Sequence, residues 1–514
     1  MTGVKENCGV AAVHIKKGSE HEGKAPYFLY RLLLNMQNRG QLSAGITTYN
    51  HERANLLDTY RSLGTVNEAF KSSIPQKQDG IFTKYAGNMG IGHTRYATCG
   101  EDGKSYAQPF ERKHGRKWKW FSFCFNGNIA NYSELKDVLM NKVEYHITYD
   151  TDSEIIMHYI ARELYSTKIK PNYREIFRNI SKKFDGAYNI AFIDALGSLV
   201  VVRDPLGIKP MCYAQKDDMT LIASESAALS NLGFYDIKFL QPGEMIIIKN
   251  DKLEIIRYAE KQEPKRCMFE WVYFSNVSSV FDERSVYKAR TNLGKELAKM
   301  ETEKINKKDY IVIPVPDSSK PAGEAYAFGL GLPTVEGLVR NRFVGRTFIE
   351  STERMARVRR KFSVLREVVE GKKVLLVDDS VVRGTTSKSI VKFLKEEGGA
   401  KEVHLRVSCP PIVSPCFYGI DMSSVSELFA SKYKKEMKNS HIPKKVLKKM
   451  ADEIGADSLI YQTVEGLVRS ISYPENELCV SCLTGKYITP WGKKLYTKSL
   501  ADAGNGNYEK RTYE

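Results

Sequence analysis

The segment VLLVDDSVVRGTTS, residues 374–387, constrains this chain of 514 residues more than any other. An apolar strand delivers two acidic residues, Asp378 and Asp379, and a turn through Gly384 then opens a helical pattern. A short apolar run of this kind, followed at once by a helix, is a strand of a parallel sheet covered on both faces. The backbone amides of Arg383 to Ser387 and the hydroxyls of Thr385, Thr386 and Ser387 suit a phosphate at a helix N-terminus. Gly384 permits a close approach, and the carboxylates can accept hydrogen bonds from ribose hydroxyls. Neither G-x-x-x-x-G-K-[ST] nor G-x-G-x-x-G occurs, which argues against a P-loop or a dinucleotide fold.

The surrounding pattern agrees. YIVIPVP, then AGEAYAFGLG, then KKVLLVDDS, SKSIVKFLKEEGG and EVHLRVSCP alternate strand with helix and predict an α/β unit with a parallel sheet. Residues 340–361, rich in Arg and without a clear strand pattern, read as a long functional loop. Residues 8–248 read differently. Short strands such as CGVAAVHI, GIGHTRYAT, WFSFCFNG and GEMIIIKN alternate with helical stretches near 27–36, 132–140 and 153–164, which predicts an α+β unit with mainly antiparallel sheet. Residues 249–265 are charged, contain Pro264 and read as a linker, 266–488 form the second domain, and the tail 489–514 shows little periodicity and is expected to fray.

The string at 374–387 resembles the phosphoribosyl pyrophosphate motif of type I phosphoribosyltransferases. The resemblance implies that Asp378 and Asp379 hold ribose hydroxyls and that Arg383, Gly384, Thr385, Thr386 and Ser387 hold the 5′-phosphate. It also implies that the loop PDSSKPA, with Asp317, Ser318 and Ser319, takes the diphosphate and its Mg²⁺, with Ser319, Asp378 and Asp379 around the metal.

Near the amino terminus, Cys8 followed by Gly-Val, then NRGQLSAGI, GIGHTRYAT, FNGNIANY and TDSE, resembles the class II glutamine amidotransferase domain, an amino-terminal-nucleophile hydrolase with an αββα sandwich. The chemistry needs a thiolate to attack the glutamine carboxamide, an oxyanion hole, and a base. Removal of residues 1–7 as a propeptide would free an α-amino group of pKa about 7.7 to 8.0 on the nucleophile itself. By the resemblance Asn126 and Gly127 form the oxyanion hole, while Arg95 and Asp152 grip the carboxylate and amino group of glutamine. Taken singly, Arg95 is an ordinary ion-pair residue and Asn126-Gly127 an ordinary turn; together with Cys8 they make a site.

Nine cysteines without an export signal point to thiols, catalysis or metal rather than a disulfide framework. On spacing alone, Cys479 and Cys482 are a redox pair, two unrelated thiols or half of a metal site. Cys99, Cys124, Cys212 and Cys409 lie in apolar settings and read as small core residues.

An ammonia-releasing half joined to a phosphoribosyl-binding half, with RDPLGIKP, ESAAL, LQPGE, FEWVYF and NRFVGRTFI, resembles the amidophosphoribosyltransferase family over about residues 8–489. That likeness implies transfer of ammonia from glutamine to C1 of 5-phosphoribosyl 1-diphosphate, the first committed step of purine synthesis. It implies a loop carrying Arg340 and Arg342 that closes over the sugar diphosphate, a homotetramer, and feedback by purine nucleotides. One branch of the family carries a 4Fe-4S cluster, and Cys267, Cys416, Cys479 and Cys482 match its ligand positions.

Lys plus Arg exceed Asp plus Glu, 78 against 61, for a net charge of +17 that draws anions without naming one. The basic clusters at 354–361 and 432–449 lack interleaved aromatics, so no nucleic-acid partner is expected. No run of about 18 apolar residues and no signal peptide is present, which makes no membrane partner and a cytoplasmic location the default expectation. An aminosugar or asparagine synthase would share the first half but not VLLVDDSVVRGTTS. A phosphoribosyltransferase-like regulator would have no use for the glutaminase residues.

Overall fold

The computed structural model describes residues 8–96, 103–149, 151–167, 170–341, 354–422, 424–437 and 442–504. Its first unit is built from two antiparallel sheets. One runs in the order Ile237–Phe239, Cys212–Lys216, Met219–Ala223, Gly9–Ile15, Met89–Arg95, Ser43–Tyr49, Leu57–Leu63. The other runs Lys252–Arg257, Glu244–Lys249, Ser198–Arg203, Gly186–Asp194, Phe121–Ile129, Phe110–Arg112.

Period-two alternation decides how they stack. Along Gly9–Ile15, Val10 and Ala12 join Cys124, Ala191, Val201 and Ile246 between the sheets, whereas Ala11 and Val13 pack outward under the helix Ala25–Asn35. Helices Asp152–Ser166 and Tyr173–Ser181 cover the outer face of the second sheet through Ile155, Ile156 and Phe177. The result is the αββα sandwich that the resemblance implies, built on the mainly antiparallel α+β pattern read from the residues.

The second unit carries a four-stranded parallel sheet, Tyr310–Pro314, Lys373–Asp378, Glu402–Val407 and Ser458–Tyr461 in that order. Helices Val286–Lys299 and Lys320–Leu330 cover one face around Leu297, Ala322, Tyr326 and Leu375. Helices Thr385–Glu396 and Lys444–Ile454 cover the other through Ile390, Leu394, Val446 and Met450.

Three expectations are corrected. Residues 249–265 are not a free linker, because Lys252–Arg257 pairs with Glu244–Lys249 as an edge strand. Asn250 and Asp251 turn that hairpin with φ of 49° and 59°, and the strand's charged, solvent-facing residues hide its alternation. The tail does not fray up to residue 504. Pro490–Gly504 is a helix whose Leu495 and Ser499 are buried, and Asp185 Oδ2 accepts its Trp491 N–H at 3.0 Å. The stretch 340–361 is stemmed rather than open: Leu338–Arg340 pairs with Phe362–Val364, and Arg354–Lys361 is helical. Arg342 and Cys99 lie outside the described residues.

The two units share a buried seam. Ala130, Ala187 and Ile208 of the first belong to the hydrophobic core of the second, and Asn128 Nδ2 donates to Phe417 O at 2.9 Å. Arg39 joins Glu225 at 2.7 Å and Glu270 at 2.6 Å, all three buried. Arg203 and Arg266 share Asp282. Buried ion pairs with this many hydrogen bonds specify one arrangement of the units, because either partner left alone would be an uncompensated charge.

Candidate active sites

The first site gathers residues far apart in sequence. Pairing of Gly9 with Thr94 sets Cys8 beside Arg95 and Tyr96, and the Cys8 thiol donates to Tyr96 O at 3.6 Å. Cys8, Arg95, Tyr106, Phe125, Gly127 and Asp152 line one pocket. The Arg95 guanidinium sits 5.5 Å over the Tyr106 ring, an aromatic contact the sequence did not reveal. Asp152 opens the helix Asp152–Ser166, where a carboxylate meets the positive end of the helix dipole. Burial nonetheless pushes its carboxyl up to about 6, against hydrogen bonds from Ser153 and the charge of Arg95.

Asn126 and Gly127 are not a turn. They lie within the strand Phe121–Ile129, opposite Asn189 and Tyr188. A Cβ on Gly127 would come within 1.9 Å of Ala187 O, so only glycine fits there. Asn126 is buried behind the pocket rather than lining it, and its Nδ2 has no hydrogen-bond partner among the described residues. A buried amide donor without an acceptor is costly unless a ligand supplies one. Burial pushes the Cys8 thiol up; the charges of Arg95 and Lys209 act to lower it, and that of Asp152 to raise it. Residues 1–7 lie outside the described residues.

The second site is contiguous. Asp378 ends the strand Lys373–Asp378, and Asp379 accepts from Ser318 Oγ at 2.5 Å and Ser380 Oγ at 2.6 Å. Both carboxyls are buried and pushed up by that burial, Asp378 further by the charge of Asp379. Gly384, at φ 72°, caps the helix Thr385–Glu396, and a Cβ there would strike the Phe429 ring at 2.9 Å. The free N–H groups of that helix end point away from the helix, with Ser387 Oγ 3.4 Å from Asp378 Oδ2. Thr385 Oγ1 and Ser319 Oγ are buried without hydrogen-bond partners among the described residues, two hydroxyls left open toward a ligand. The Arg383 side chain turns away from this cradle, its Nε donating to Glu427 at 2.8 Å, so only its backbone remains for an anion. Arg340 pairs with Asp317 at 3.0 Å and brings the loop stem over the same edge.

The segments that carry the four matching cysteines also pack together. Cys267 sits opposite Cys479 in a short parallel pairing, the Cys482 carbonyl accepts from Val413 and Ser414 at 3.0 Å, and Tyr418 N–H approaches Cys416 Sγ at 3.4 Å. All four are buried free thiols, and Cys482 feels the charges of Cys416, Cys479 and Cys267. Among the described residues no three His, Cys, Asp or Glu side chains converge on one point as they would around a single ion. A four-iron cluster takes one thiolate per iron, so its ligands surround a larger volume, and four buried thiols from three segments fit that demand. Among the described residues no helix is long and apolar enough to cross a membrane.

Residues 93–231 match the family model described as glutamine amidotransferase domain, and residues 285–437 that of phosphoribosyl transferase domain. The amidophosphoribosyltransferase of Methanothermobacter thermautotrophicus is 38% identical over 491 residues, covering 95% of each chain. That of Archaeoglobus fulgidus is 39% identical over 485 residues, covering 93% of this chain and 97% of its own. A solved structure of the glutamine phosphoribosylpyrophosphate amidotransferase of Bacillus subtilis, complexed with ADP and GMP, matches with a TM-score of 0.80 at 34% identity, covering 94% of this chain and 98% of that one.

Proposed function

This chain belongs to the amidophosphoribosyltransferase family, and from that premise we propose how its residues divide the reaction. It is a glutamine-dependent enzyme that transfers amide nitrogen to 5-phosphoribosyl 1-diphosphate, with 5-phosphoribosylamine, glutamate and diphosphate as products, in purine biosynthesis. The observation that carries the residue assignment is the shared pocket of Cys8, Arg95, Gly127 and Asp152, set against a second unit whose acid pair and helix end form a separate cradle.

In the first half-reaction Cys8 attacks the amide carbon. Gly127 N–H and Asn126 Nδ2, the latter a buried donor without a partner, take the oxyanion. Arg95 holds the substrate carboxylate and Asp152 its ammonium. Removal of residues 1–7 leaves the Cys8 amino group as base, and water resolves the thioester. The released ammonia enters the seam, where Gly419 of the second unit packs against Gly127 and Phe417 accepts from Asn128. In the second half-reaction Asp378 and Asp379 hold the ribose hydroxyls while Thr385, Thr386, Ser387 and the backbone from Arg383 hold the 5′-phosphate. Mg²⁺, when bound near Ser319, Asp378 and Asp379, supplies charge neutralisation for the departing diphosphate. Arg340, with Arg342 beyond the described residues, closes the loop over it.

Cys267, Cys416, Cys479 and Cys482 hold a 4Fe-4S cluster of structural role, since neither half-reaction moves an electron. Purine nucleotides, as in the Bacillus subtilis complex with ADP and GMP, serve as feedback ligands, and the family likeness extends to a homotetramer. The testing experiment measures glutamate release by anaerobically purified full-length protein, with intact mass and iron recorded on the same sample. Release that rises with 5-phosphoribosyl 1-diphosphate, on a chain beginning at Cys8 with about four iron, is expected. No release from a processed, iron-loaded chain overturns the assignment.

Asp152 adds a pH dependence. Its carboxyl must be ionised to pair with an ammonium, and burial sets its titration at about 6. The KM for glutamine is therefore expected to rise as pH falls through about 6 and to level off above it. Steady-state glutaminase kinetics across that window check this, and a KM flat through pH 6 removes Asp152 from substrate binding.

A further inference from the structure

Gln108 lines the first pocket, is buried, and makes no bond in either half-reaction. Its main chain is seated on the first sheet: Ala107 O accepts from Arg61 Nη1 at 2.9 Å, and Gln108 O packs where a Cβ on Gly45 would stand 2.4 Å away. Its side chain reaches the other sheet. There the edge strand Phe110–Arg112 pairs with Phe121–Ile129 only as far as Phe110 opposite Phe123, and Pro109 ahead of it has no N–H to carry the ladder on. At the next position along, Gln108 Oε1 accepts the Phe125 N–H at 2.8 Å, in the place of a neighbouring strand's carbonyl. His93 Nε2 lies 3.0 Å from Phe125 O, which can only accept, so the ring proton is on Nε2; burial keeps that ring neutral, with its titration down to about 3.

In an antiparallel strand the N–H and C=O of one residue point to the same side, and the side reverses at each residue. Tyr188, opposite Gly127, turns its carbonyl away to accept Asp204 N–H at 2.9 Å. Gly127 and Tyr188 are therefore a non-hydrogen-bonded pair, and Gly127 N–H faces the far side of its strand. Phe125 turns to that same side for Gln108. This side opens on the pocket, which Cys8, Phe125, Gly127 and Gln108 share. The N–H held by Gln108 and the oxyanion donor are thus successive positions on one strand edge. A ladder normally sets such directions; here the ladder has ended, and the side chains of Gln108 and His93 replace it. The far end of the Gln108 amide is tied as well, with Nε2 at 3.4 Å from Ser153 Oγ, itself 3.4 Å from Asp152 Oδ1.

We propose that Gln108 is a positioning residue of the oxyanion hole: its amide stands in for a missing strand and holds the edge from Phe125 to Gly127, so that Gly127 N–H aims at the oxygen of the carboxamide under attack. The inference rests on the assignment of Cys8, Asn126 and Gly127 to glutamine hydrolysis above. In that step the Cys8 sulfur bonds to the amide carbon while the carbonyl π pair moves to oxygen, and this is the oxygen that Gly127 N–H meets. A donor aimed in advance favours the transition state more than bound glutamine, so Gln108 acts on kcat rather than on KM.

The test compares processed wild type with Gln108→Met, which keeps the length of the side chain but not its amide, in glutaminase assays with 5-phosphoribosyl 1-diphosphate present. Gln108→Met is expected to lower kcat for glutamate release on the order of 10-fold or more, with KM for glutamine within about threefold. Glutamate γ-semialdehyde reads the hole directly, because its aldehyde carbon takes the Cys8 thiolate and places an oxyanion in the same position. Its inhibition constant is expected to rise by about the same factor as kcat falls. Gln108→Glu keeps an oxygen that accepts from Phe125 N–H whether or not the carboxyl is ionised, and is expected to recover most of kcat. Three results overturn the inference while leaving Cys8 as nucleophile: wild-type kcat in Gln108→Met, a loss carried by KM with aldehyde binding unchanged, or equal kcat losses in Gln108→Glu and Gln108→Met. If Gln108→Met does not fold, Gln108→Asn decides; its amide is one methylene short of Phe125 N–H, and wild-type kcat there counts against the proposal. A processed wild-type chain that releases no glutamate removes the glutaminase assignment itself, and the role of Gln108 with it.

Discussion

Cys8→Ala is expected to lower glutamine-dependent synthesis by about 10⁴-fold or more, the scale on which loss of a nucleophile is felt when the rest of a site cannot substitute for it. Synthesis from added ammonia is expected to stay within about twofold of wild type, because ammonia bypasses the thiol and meets the sugar at a separate cradle. The structure makes this separation sharp. Cys8 is held by Tyr96 at the start of a central strand of the first unit, and none of its contacts reaches Asp378 or Asp379. Parallel assays with glutamine and with an ammonium salt read both activities from one preparation. Equal loss of both would mean that Cys8 supports the seam rather than the chemistry, and survival of both would remove it as nucleophile.

Asp378→Asn combined with Asp379→Asn is expected to remove both activities by at least about 10²-fold, since each route needs the ribose held and the charge near the leaving diphosphate balanced. The same change is expected to stabilise the folded chain. Both carboxyls are raised by burial, Asp378 also by its neighbour, so ionising them costs the native state more than the unfolded one. That cost is absent at pH below the unfolded carboxylate value of about 3.9, sets in above it and is largest above the raised native values. The double variant should therefore gain resistance to denaturant at neutral pH, and the gain should shrink toward acid pH. Urea unfolding at neutral and acid pH, beside the two assays, distinguishes a lost site from a lost fold. An inactive variant that is also less stable at neutral pH would assign the pair to structure.

How far each site was legible depended on how local it is. The strand, acid pair, glycine and hydroxyls at 374–387 occupy one continuous stretch, and short-range rules carried them through to the observed cradle. Even there the Arg383 side chain went elsewhere, to Glu427, 44 residues away. Asn126-Gly127, a turn signal when taken singly, falls at the end of the strand read from WFSFCFNG; what only the sheet shows is its pairing with Asn189 and Tyr188. The edge strand Lys252–Arg257 and the terminal helix Pro490–Gly504 were missed because one is largely solvated and the other is held by distant partners such as Asp185, 306 residues away.

The chain's own order of residues was enough to determine the kinds of chemistry available: a thiol near the start, an acid pair before a helix, four cysteines, and two units of different sheet type. Those are properties of residue type and of periodicities of two and 3.6, which act over a few residues. Tertiary structure alone decided which groups share an environment. Arg39 finds Glu225 and Glu270 across 186 and 231 residues, Asp152 is carried into the buried pocket that shifts it, and Lys209 arrives 3.9 Å from Glu270 in the same buried set. The physical reason is that burial and the strength of charges depend on what the distant chain excludes from water, which no local pattern records.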